Sequence, residues 1–533
     1  MRTDYRYSLR VSRRTFTSGL ATTLAVAAAR AGGESAEYAR RLRAQLASVD
    51  QTIKRGPFKA DWKSLEAYRE PAWFRDAKFG IFIHWGVYSV PAFANEWYSR
   101  NMYVKGSPEY EYHRAVYGPQ SKFGYKNFIP MFTAEKFDPD AWVDLFAAAG
   151  ARYVVPVGEH CDGFPMYDSQ FTDWDAAKMG PKRDVVGELE KAVRARGLNF
   201  GVSSHRAEHW WWYNPGTAYK SDVDDPRYAG LYGPAEPMTL PADHNPGEPD
   251  PSHLERWLPP SKAYLDDWLA RSTELVDKYH PDFIYFDWWI NQPAFAPYLE
   301  RMAAYYYDRA AARGQGPVLT YKEEAFPPGT AVLDVERGKL DELRLRPWQS
   351  DTSVSIKSWG YVKDDAYRTA PSLLVDLIDV VSKNGNLLLN IGPRSDGTIP
   401  EQIQSVLKQI GTWLSVNGEA IHGTRPWVLY GEGSTNSGTA EKKEVVNPVY
   451  TAADIRFTTK GKILYALGLA RPADGHALIK TLYNGTPYLP SPVTMVRLLG
   501  SHDPLQWTQT SVGLSVQLPE KRDDLPYALR IET

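Results

Sequence analysis

Between about residues 70 and 420 the chain repeats one pattern. A short apolar run ends on a polar residue, and an amphipathic stretch of helical period follows. The runs are Phe79–His84, Tyr153–Val157, Leu198–Val202, Phe283–Asp287, Val318–Tyr321, Val332–Asp334 and Leu387–Asn390. The helical stretches are Asp140–Ala149, Val185–Arg196, Lys262–Tyr279, Ala294–Arg313, Ser372–Ser382 and Gln402–Val416. Runs this short and this apolar suit strands buried on both faces, and parallel strands need crossovers of the kind the helices supply. The pattern predicts an α/β fold, and its span suits a (β/α)8-like TIM barrel with insertions. A dinucleotide-binding sheet would need a Gly-rich turn after its first strand, and the sequence has none there.

The polar residues at or near the run ends are His84, Glu159-His160, His205, Asp287, Lys322, Glu336 and Asn390. In a barrel they would meet at the C-terminal face of the strands, where such folds keep their sites. Asp287 stands out because Phe283-Ile284-Tyr285-Phe286 precede it. A carboxylate at the end of so apolar a run is costly to bury unless function or a partner retains it. Capping of the next helix is the plainer alternative.

The barrel pattern is flanked on both sides. Ser12-Arg13-Arg14-Thr15-Phe16 is a twin-arginine pattern, followed by an apolar small-residue run over Gly19–Ala29 and by Ala29-Arg30-Ala31. The run is too short to span a bilayer, and the order of its parts predicts an export signal over residues 1–31. A periplasmic or secreted location follows from that reading. Residues 32–60 read as a helical lead-in and 61–423 as the barrel. Residues 215–260, rich in Pro, Gly and Asp, read as a loop insertion that could wall the site. From 424 to 533 short apolar stretches separated by Gly, Pro, Asn and Asp predict a C-terminal all-β sandwich. Its candidate strands are Lys462–Leu469, Ala477–Leu482, Val493–Leu499, Val512–Leu518 and Tyr527–Ile531, and the tract 432–443 reads as a mobile loop. The single cysteine, Cys161, permits no disulfide within the chain, so burial must hold the fold. A net charge of −2 gives no broad surface for nucleic acid or, once the signal is cleaved, for a membrane. The chain carries 18 Trp and 33 Tyr, whose flat amphipathic rings suit either a large core or the faces of sugars.

Four segments, in order, resemble glycoside hydrolase family 29, the α-L-fucosidase family. The first runs from Trp73 through Phe79-Gly80-Ile81-Phe82-Ile83-His84-Trp85-Gly86 to Glu96-Trp97-Tyr98. The second is Glu159-His160-Cys161-Asp162-Gly163-Phe164, with Gly180-Pro181-Lys182-Arg183-Asp184. The third is Tyr279-His280-Pro281-Asp282 through Asp287, and the fourth joins Ser358-Trp359-Gly360-Tyr361 to Asn384 through Pro393. The resemblance implies a retaining, exo-acting α-L-fucosidase that uses two carboxyl groups and no cofactor or metal. It implies a fucosylated oligosaccharide or glycoconjugate as partner, and it specifies no oligomeric state. Asp287 occupies the position of the family's nucleophile. Glu336 is the candidate acid/base, with Glu323 and Glu324 as rivals, and Arg337 beside it must point away if Glu336 is to hold a proton. Trp348-Gln349 stands where some relatives have Trp-Glu, and a glutamine cannot cycle a proton at neutral pH. His84, Glu96, Trp97 and His160 match positions that hold the sugar, and Tyr285 is a candidate wall for its methyl group.

Two stretches depart from the family. Glu159 and Cys161 stand where many relatives have Lys and a second His, which places Cys161 among the candidate sugar-contacting residues. Ser203-Ser204-His205 replaces Tyr-Tyr-Ser, with His205 as a candidate substitute. Both departures are expected to alter the grip on sugar hydroxyls. Two further readings stay open: the same fold acting on another sugar such as an α-L-galactoside, and a non-catalytic glycan-binding protein. His205 and His209 lie four apart, but Glu208 is adjacent to the second His, unlike the zinc-protease pattern.

Overall fold

The computed structural model describes residues 36–238, 257–435, 449–520 and 524–533. The export signal read over 1–31, part of the insertion at 215–260 and most of the tract at 432–443 lie outside these residues.

Eight parallel strands close into a barrel: β1 (Phe79–Ile83), β2 (Tyr153–Glu159), β3 (Asn199–Ser204), β4 (Phe283–Phe286), β5 (Val318–Tyr321), β6 (Val332–Glu336), β7 (Trp348–Ser353) and β8 (Gly385–Ile391). β1 pairs with both β2 and β8, which completes the ring. Gly80 on β1 lies opposite Tyr153 on β2, and a Cβ there would sit 2.5 Å from the Tyr153 ring. The glycine thus makes room for a large side chain inside the barrel.

Seven strands fall on the apolar runs. β7 does not, because Trp-Gln-Ser-Asp-Thr-Ser has neither an apolar run nor an alternation of apolar with polar residues. All six of its residues are nevertheless buried. Hydrogen bonds offset much of the cost of burying their polar groups. The Tyr153 hydroxyl donates to Gln349 (2.9 Å), the Tyr285 hydroxyl donates to Asp351 (2.9 Å), and Asn390 donates to Ser353 (2.9 Å). Burial here tracks polar pairing rather than apolar character, which a pattern of hydrophobicity does not register.

The six helical stretches expected from the sequence are found at Pro139–Ala148, Val185–Ala195, Lys262–Tyr279, Ala296–Ala311, Ala370–Ser382 and Glu401–Asn417. Local chemistry starts several of them. Asp138, Asp184 and Ser261 each accept a backbone N–H from the first turn, and Pro139 and Pro371 sit where no helical hydrogen bond is lost. Among the described residues no helix follows β5 or β6. A further helix over 36–55 packs Val49 and Ile53 into the barrel's core. The insertion after β3 is not a bare loop where it is described. Short helical turns occupy Asn214–Ala218, Pro226–Tyr228 and Ala229–Tyr232.

Beyond the barrel, one sheet joins β9 (Arg425–Glu432), β10 (Ile455–Lys460), β11 (Ile463–Gly468), β13 (Met495–Leu498) and β16 (Tyr527–Glu532). A second joins β12 (His476–Ile479), β14 (Trp507–Gln509) and β15 (Leu514–Gln517). Phe457, Ile479, Val516 and Ile531 belong to the core between them, so the unit is a sandwich. The other face of the larger sheet gives Tyr465, Leu467 and Ala528 to the barrel's core, and Arg456 reaches Asp379 on the helix after β7 (2.7 Å).

Candidate active site

The C-terminal strand ends bring His84, Glu96, Trp97, His160, Cys161, His205, Tyr285, Asp287 and Glu336 around one cavity. Lys322, Asp351, Trp288 and Trp359 complete its lining. Of these four, Lys322 had a signal in its place just after an apolar run, and Trp359 in the Ser-Trp-Gly-Tyr motif. Asp351 had none, because β7 has no readable pattern.

Asp287 follows β4 directly. Its Oδ2 accepts from His205 Nδ1 (2.7 Å), and its Oδ1 accepts from the Trp288 backbone N–H (2.8 Å) and faces Lys322 Nζ at 3.2 Å. Burial works against ionisation, but Lys322 and His205 outweigh it and hold the carboxyl well below the usual carboxylate range. The side chain keeps 17% of its surface exposed, on the cavity side. Glu336 ends β6 with Oε2 at 2.5 Å from Lys322 Nζ. Its acidity moves the other way. Burial raises its pKa and the Asp351 and Asp287 charges add to that, with Lys322 opposing. Arg337 does turn aside, with its guanidinium 4.6 Å from the centre of the Trp359 ring and donating to the Ile356 carbonyl. The two carboxyl groups thus share a cation while their pKa values are driven apart, an arrangement typical of acid–base and nucleophile pairs.

His84 and His160 are prepared as neutral groups. Asn390 donates to the Trp359 carbonyl (2.7 Å) and to Ser353 Oγ (2.9 Å), which leaves its Oδ1 as an acceptor. That oxygen accepts from His84 Nδ1 (2.7 Å), so His84 Nε2 is the unprotonated atom left to meet a ligand. Burial, with His205 and His160 close by, holds the His84 pKa well below its ordinary value. His160 is lowered by burial and by His205, and its Nδ1 has no partner among the described residues. Ser203 Oγ lies 3.1 Å from His205 Nε2. Ligating atoms of His84, His160 and His205 lie within 4.8 Å of one another, the spacing of a possible metal group. Both nitrogens of His205 are already engaged, by Asp287 and Ser203, so a metal would have to displace a partner of the candidate nucleophile.

Glu96 accepts from Ser358 Oγ and from the Trp359 backbone N–H, both at 2.9 Å, which ties the Trp359 loop to the cavity. Trp97 backs onto Trp212 and Trp211, and Trp257 packs against Trp211 and Trp288. Much of the tryptophan content is therefore a buried indole cluster behind the cavity wall. The Tyr285 hydroxyl points down to Asp351, which makes Tyr285 part of the floor. The Cys161 thiol is pushed well up by burial, with Glu208 and Asp287 adding to it, and stays protonated.

Glu159 corrects one expectation. It does not face the cavity, because the register of β2 against β3 shifts between Val157 and Glu159. The shift turns His160 inward and Glu159 outward, onto Arg206 (2.5 Å) and Arg271 (3.1 Å). Its replacement of the family's Lys therefore bears on packing around the site, not on the sugar. His209 also turns away, to the Cys161 carbonyl (2.9 Å). Glu323 pairs with Asn291 and, with Glu324, lines a separate groove beside Trp62 and Tyr321, so neither rival reaches the cavity. Gln349 is buried inside the barrel.

Comparison with known proteins gives a consistent picture. The family model described as alpha-L-fucosidase matches residues 45–419, and that of the alpha-L-fucosidase C-terminal domain matches 449–532. The chain is 33% identical over 476 residues to plasma alpha-L-fucosidase of Homo sapiens, covering 87% of this chain and 89% of that protein. It superposes with a TM-score of 0.70 on the crystal structure of Thermotoga maritima alpha-fucosidase in complex with fucose, at 31% identity, covering 89% of this chain and 99% of the other. A structure of the Thermotoga maritima alpha-fucosidase in complex with a mechanism based inhibitor matches equally, with a TM-score of 0.70 and 32% identity, covering 89% and 100%.

Proposed function

The chain belongs to the alpha-L-fucosidase family and is a glycoside hydrolase of that kind, and from this footing we propose that it is a retaining, exo-acting enzyme that removes terminal α-L-fucosyl residues from oligosaccharides or glycoconjugates. One observation carries the retaining assignment. Lys322 Nζ lies 3.2 Å from Asp287 Oδ1 and 2.5 Å from Glu336 Oε2, so these oxygens are no farther apart than the two lengths laid end to end. That bound fits the separation of about 5–5.5 Å in retaining pairs and falls short of the roughly 6.5–9.5 Å of inverting ones.

In this reading Asp287 attacks the anomeric carbon and the glycosidic C–O bond breaks. Glu336 gives its proton to the departing oxygen, leaving a glycosyl ester on Asp287. Glu336, now ionised, takes a proton from water, whose oxygen attacks the anomeric carbon and returns Asp287 as a carboxylate. His84, His160 and Glu96 supply acceptors and donors for ring hydroxyls. Trp97, Trp288 and Trp359 supply an apolar wall for the fucose methyl group.

Proton NMR of an aryl α-L-fucoside digest tests this. The α-anomer of fucose is expected as the first product. The β-anomer first would overturn the retaining assignment, and preferential release of an α-L-galactoside would overturn the choice of sugar. Glu336→Ala with azide should yield α-L-fucosyl azide, and an undiminished Glu336→Ala variant would remove Glu336 as acid/base. The Arg13-Arg14 pattern and the apolar run after it support export to the periplasm or beyond. Arg13→Lys with Arg14→Lys should leave the unprocessed chain in the cytoplasm, and normal export of that variant would overturn the location.

A further inference from the structure

The barrel interior beneath the catalytic carboxyl groups holds two more acids that the reaction above does not use. β6 and β7 run in register, with Asp334 beside Gln349 and Glu336 beside Asp351. Asp351 Oδ2 accepts from the Tyr285 hydroxyl (2.9 Å) and lies 3.5 Å from Lys322 Nζ. Asp334 Oδ1 accepts from Gln349 Nε2 (2.7 Å), whose Oε1 is held by the Tyr153 hydroxyl. Among the described residues this leaves one oxygen on each acid, Asp334 Oδ2 and Asp351 Oδ1, buried and without a donor. Asp334 is 2% exposed and Asp351 1%. Two buried carboxylate oxygens with no donor are expensive, and one proton held between the two groups would satisfy both. Burial and the neighbouring Asp351, a side-chain hydrogen-bond partner, push the Asp334 carboxyl well above the usual carboxylate range.

We infer that Asp334 and Asp351 share a single proton and together form a positioning pair that seats Lys322 between the nucleophile and the acid/base. The inference rests on the double-displacement reading of Asp287 and Glu336. With one proton the pair carries one negative charge. That charge offsets Lys322 from below, so the ammonium group does not lean wholly on Glu336 and strip it of the proton it must donate. The groups facing this ensemble are Lys322 on β5, Tyr285 and Asp287 on and after β4, Tyr153 on β2, Gln349 on β7, and Glu208 in the turn after β3. Lys322 is the cation among them.

Two isosteric variants separate the shared proton from the alternatives. In Asp334→Asn the amide N–H donates to Asp351 in place of the proton, and the charge of the pair is unchanged. The alkaline limb of kcat/KM on an aryl α-L-fucoside should stay where it is in the wild type. In Asp351→Asn the carboxylate 3.5 Å from Lys322 is lost, the remaining charge passes to Asp334, and Lys322 turns fully on Glu336. The limb should move down by about one pH unit, lowering kcat/KM about tenfold at a fixed pH above it. Equal downward shifts in both variants would mean that Asp334 is ionised and no proton is shared. Activity losses with unmoved limbs in both would mean a purely structural role. Either result overturns the inference. Infrared spectroscopy gives a readout that needs neither turnover nor the Asp351 variant. At a pH where ordinary carboxyl groups are ionised, the wild type should show a protonated-carboxyl carbonyl band that Asp334→Asn lacks. Absence of that difference overturns the shared proton, whereas failure of the double-displacement reading would leave the band in place.

Discussion

Two buried charge clusters lie back to back at the C-terminal end of the barrel, and neighbouring residues in the chain feed both. Glu159 goes to one and His160 to the other, and Arg206 and His205 divide in the same way. The outer cluster is balanced. Arg206 and Arg271 meet Glu159 and Asp267, and the Tyr38 hydroxyl donates to Asp267 (2.7 Å). The inner cluster sets Lys322 among Asp287, Glu336 and Asp351. In the balanced cluster Asp267 is driven down, because Arg206 and Arg271 outweigh its burial. In the unbalanced one the carboxyl groups part, Asp287 downward and Glu336 upward. Balance makes a fixture, and imbalance makes groups that can gain, lose or share protons.

If that division is right, variants should fall on one side or the other. The largest effect is expected from Asp287→Ala, a loss of about 10⁴-fold or more in kcat on an aryl α-L-fucoside. Its melting temperature should fall less than that of an outer-cluster variant, because Lys322 keeps Glu336 and Asp351 as partners when Asp287 is lost. A large loss of stability with modest loss of activity would place Asp287 with the outer cluster. Next comes Arg206→Met, which leaves two buried carboxylates, Glu159 and Asp267, to Arg271 alone. Breaking a buried pair in this way costs about 3–5 kcal/mol. Denaturant titration should show that loss, while kcat measured well below the melting point falls far less than in Asp287→Ala.

Much of this architecture can be read in the sequence, and the exceptions are instructive. Seven of the barrel strands are legible because apolar side chains face both the barrel interior and the helices. β7 is not, since its inward Gln349 and Asp351 are partnered by tyrosines and Lys322 from other strands. Such partners lie far off in the chain and leave no local trace. Asp287 is legible because a carboxylate after four apolar and aromatic residues is anomalous. Its relation to His205 and Lys322 is not, because it exists only after the barrel closes. The substitution at Glu159 looks like a change in sugar contacts until the register shift at the end of β2 turns it outward, where Arg206 and Arg271 answer its charge.

The two clusters should also differ in how stability responds to pH. Asp267 has a depressed carboxyl, so its contribution is present above the ordinary carboxylate range near pH 4 and is lost as pH falls below it. Glu336 has a raised one, so its contribution is present below about pH 4 and is lost as pH rises through its folded-state pKa. Glu336→Gln mimics the protonated form. Its melting temperature relative to wild type should therefore climb from pH 5 to pH 8. Asp267→Asn should sit below wild type by a constant margin over that range, with the gap closing only in acid. A constant offset for Glu336→Gln would put Glu336 among the fixtures.

The smallest effect concerns the helix over 36–55. Tyr38 and Gln45 tie this lead-in to the barrel, Tyr38 through Asp267 and Gln45 through Thr273 (3.1 Å) and Asp277 (3.0 Å). Tyr38→Phe removes one hydrogen bond to a charged acceptor and leaves the ring packed. The expected cost is about 1–2 kcal/mol in denaturant titration, with kcat and the pH profile of kcat/KM both unmoved. Asp267 still holds Arg206 and Arg271 in that variant, so the outer cluster should keep its geometry and the strand-end residues it shares with the site should not shift. A displaced pH profile would mean that the two clusters communicate through His205-Arg206, and that the balanced one is part of the catalytic apparatus after all.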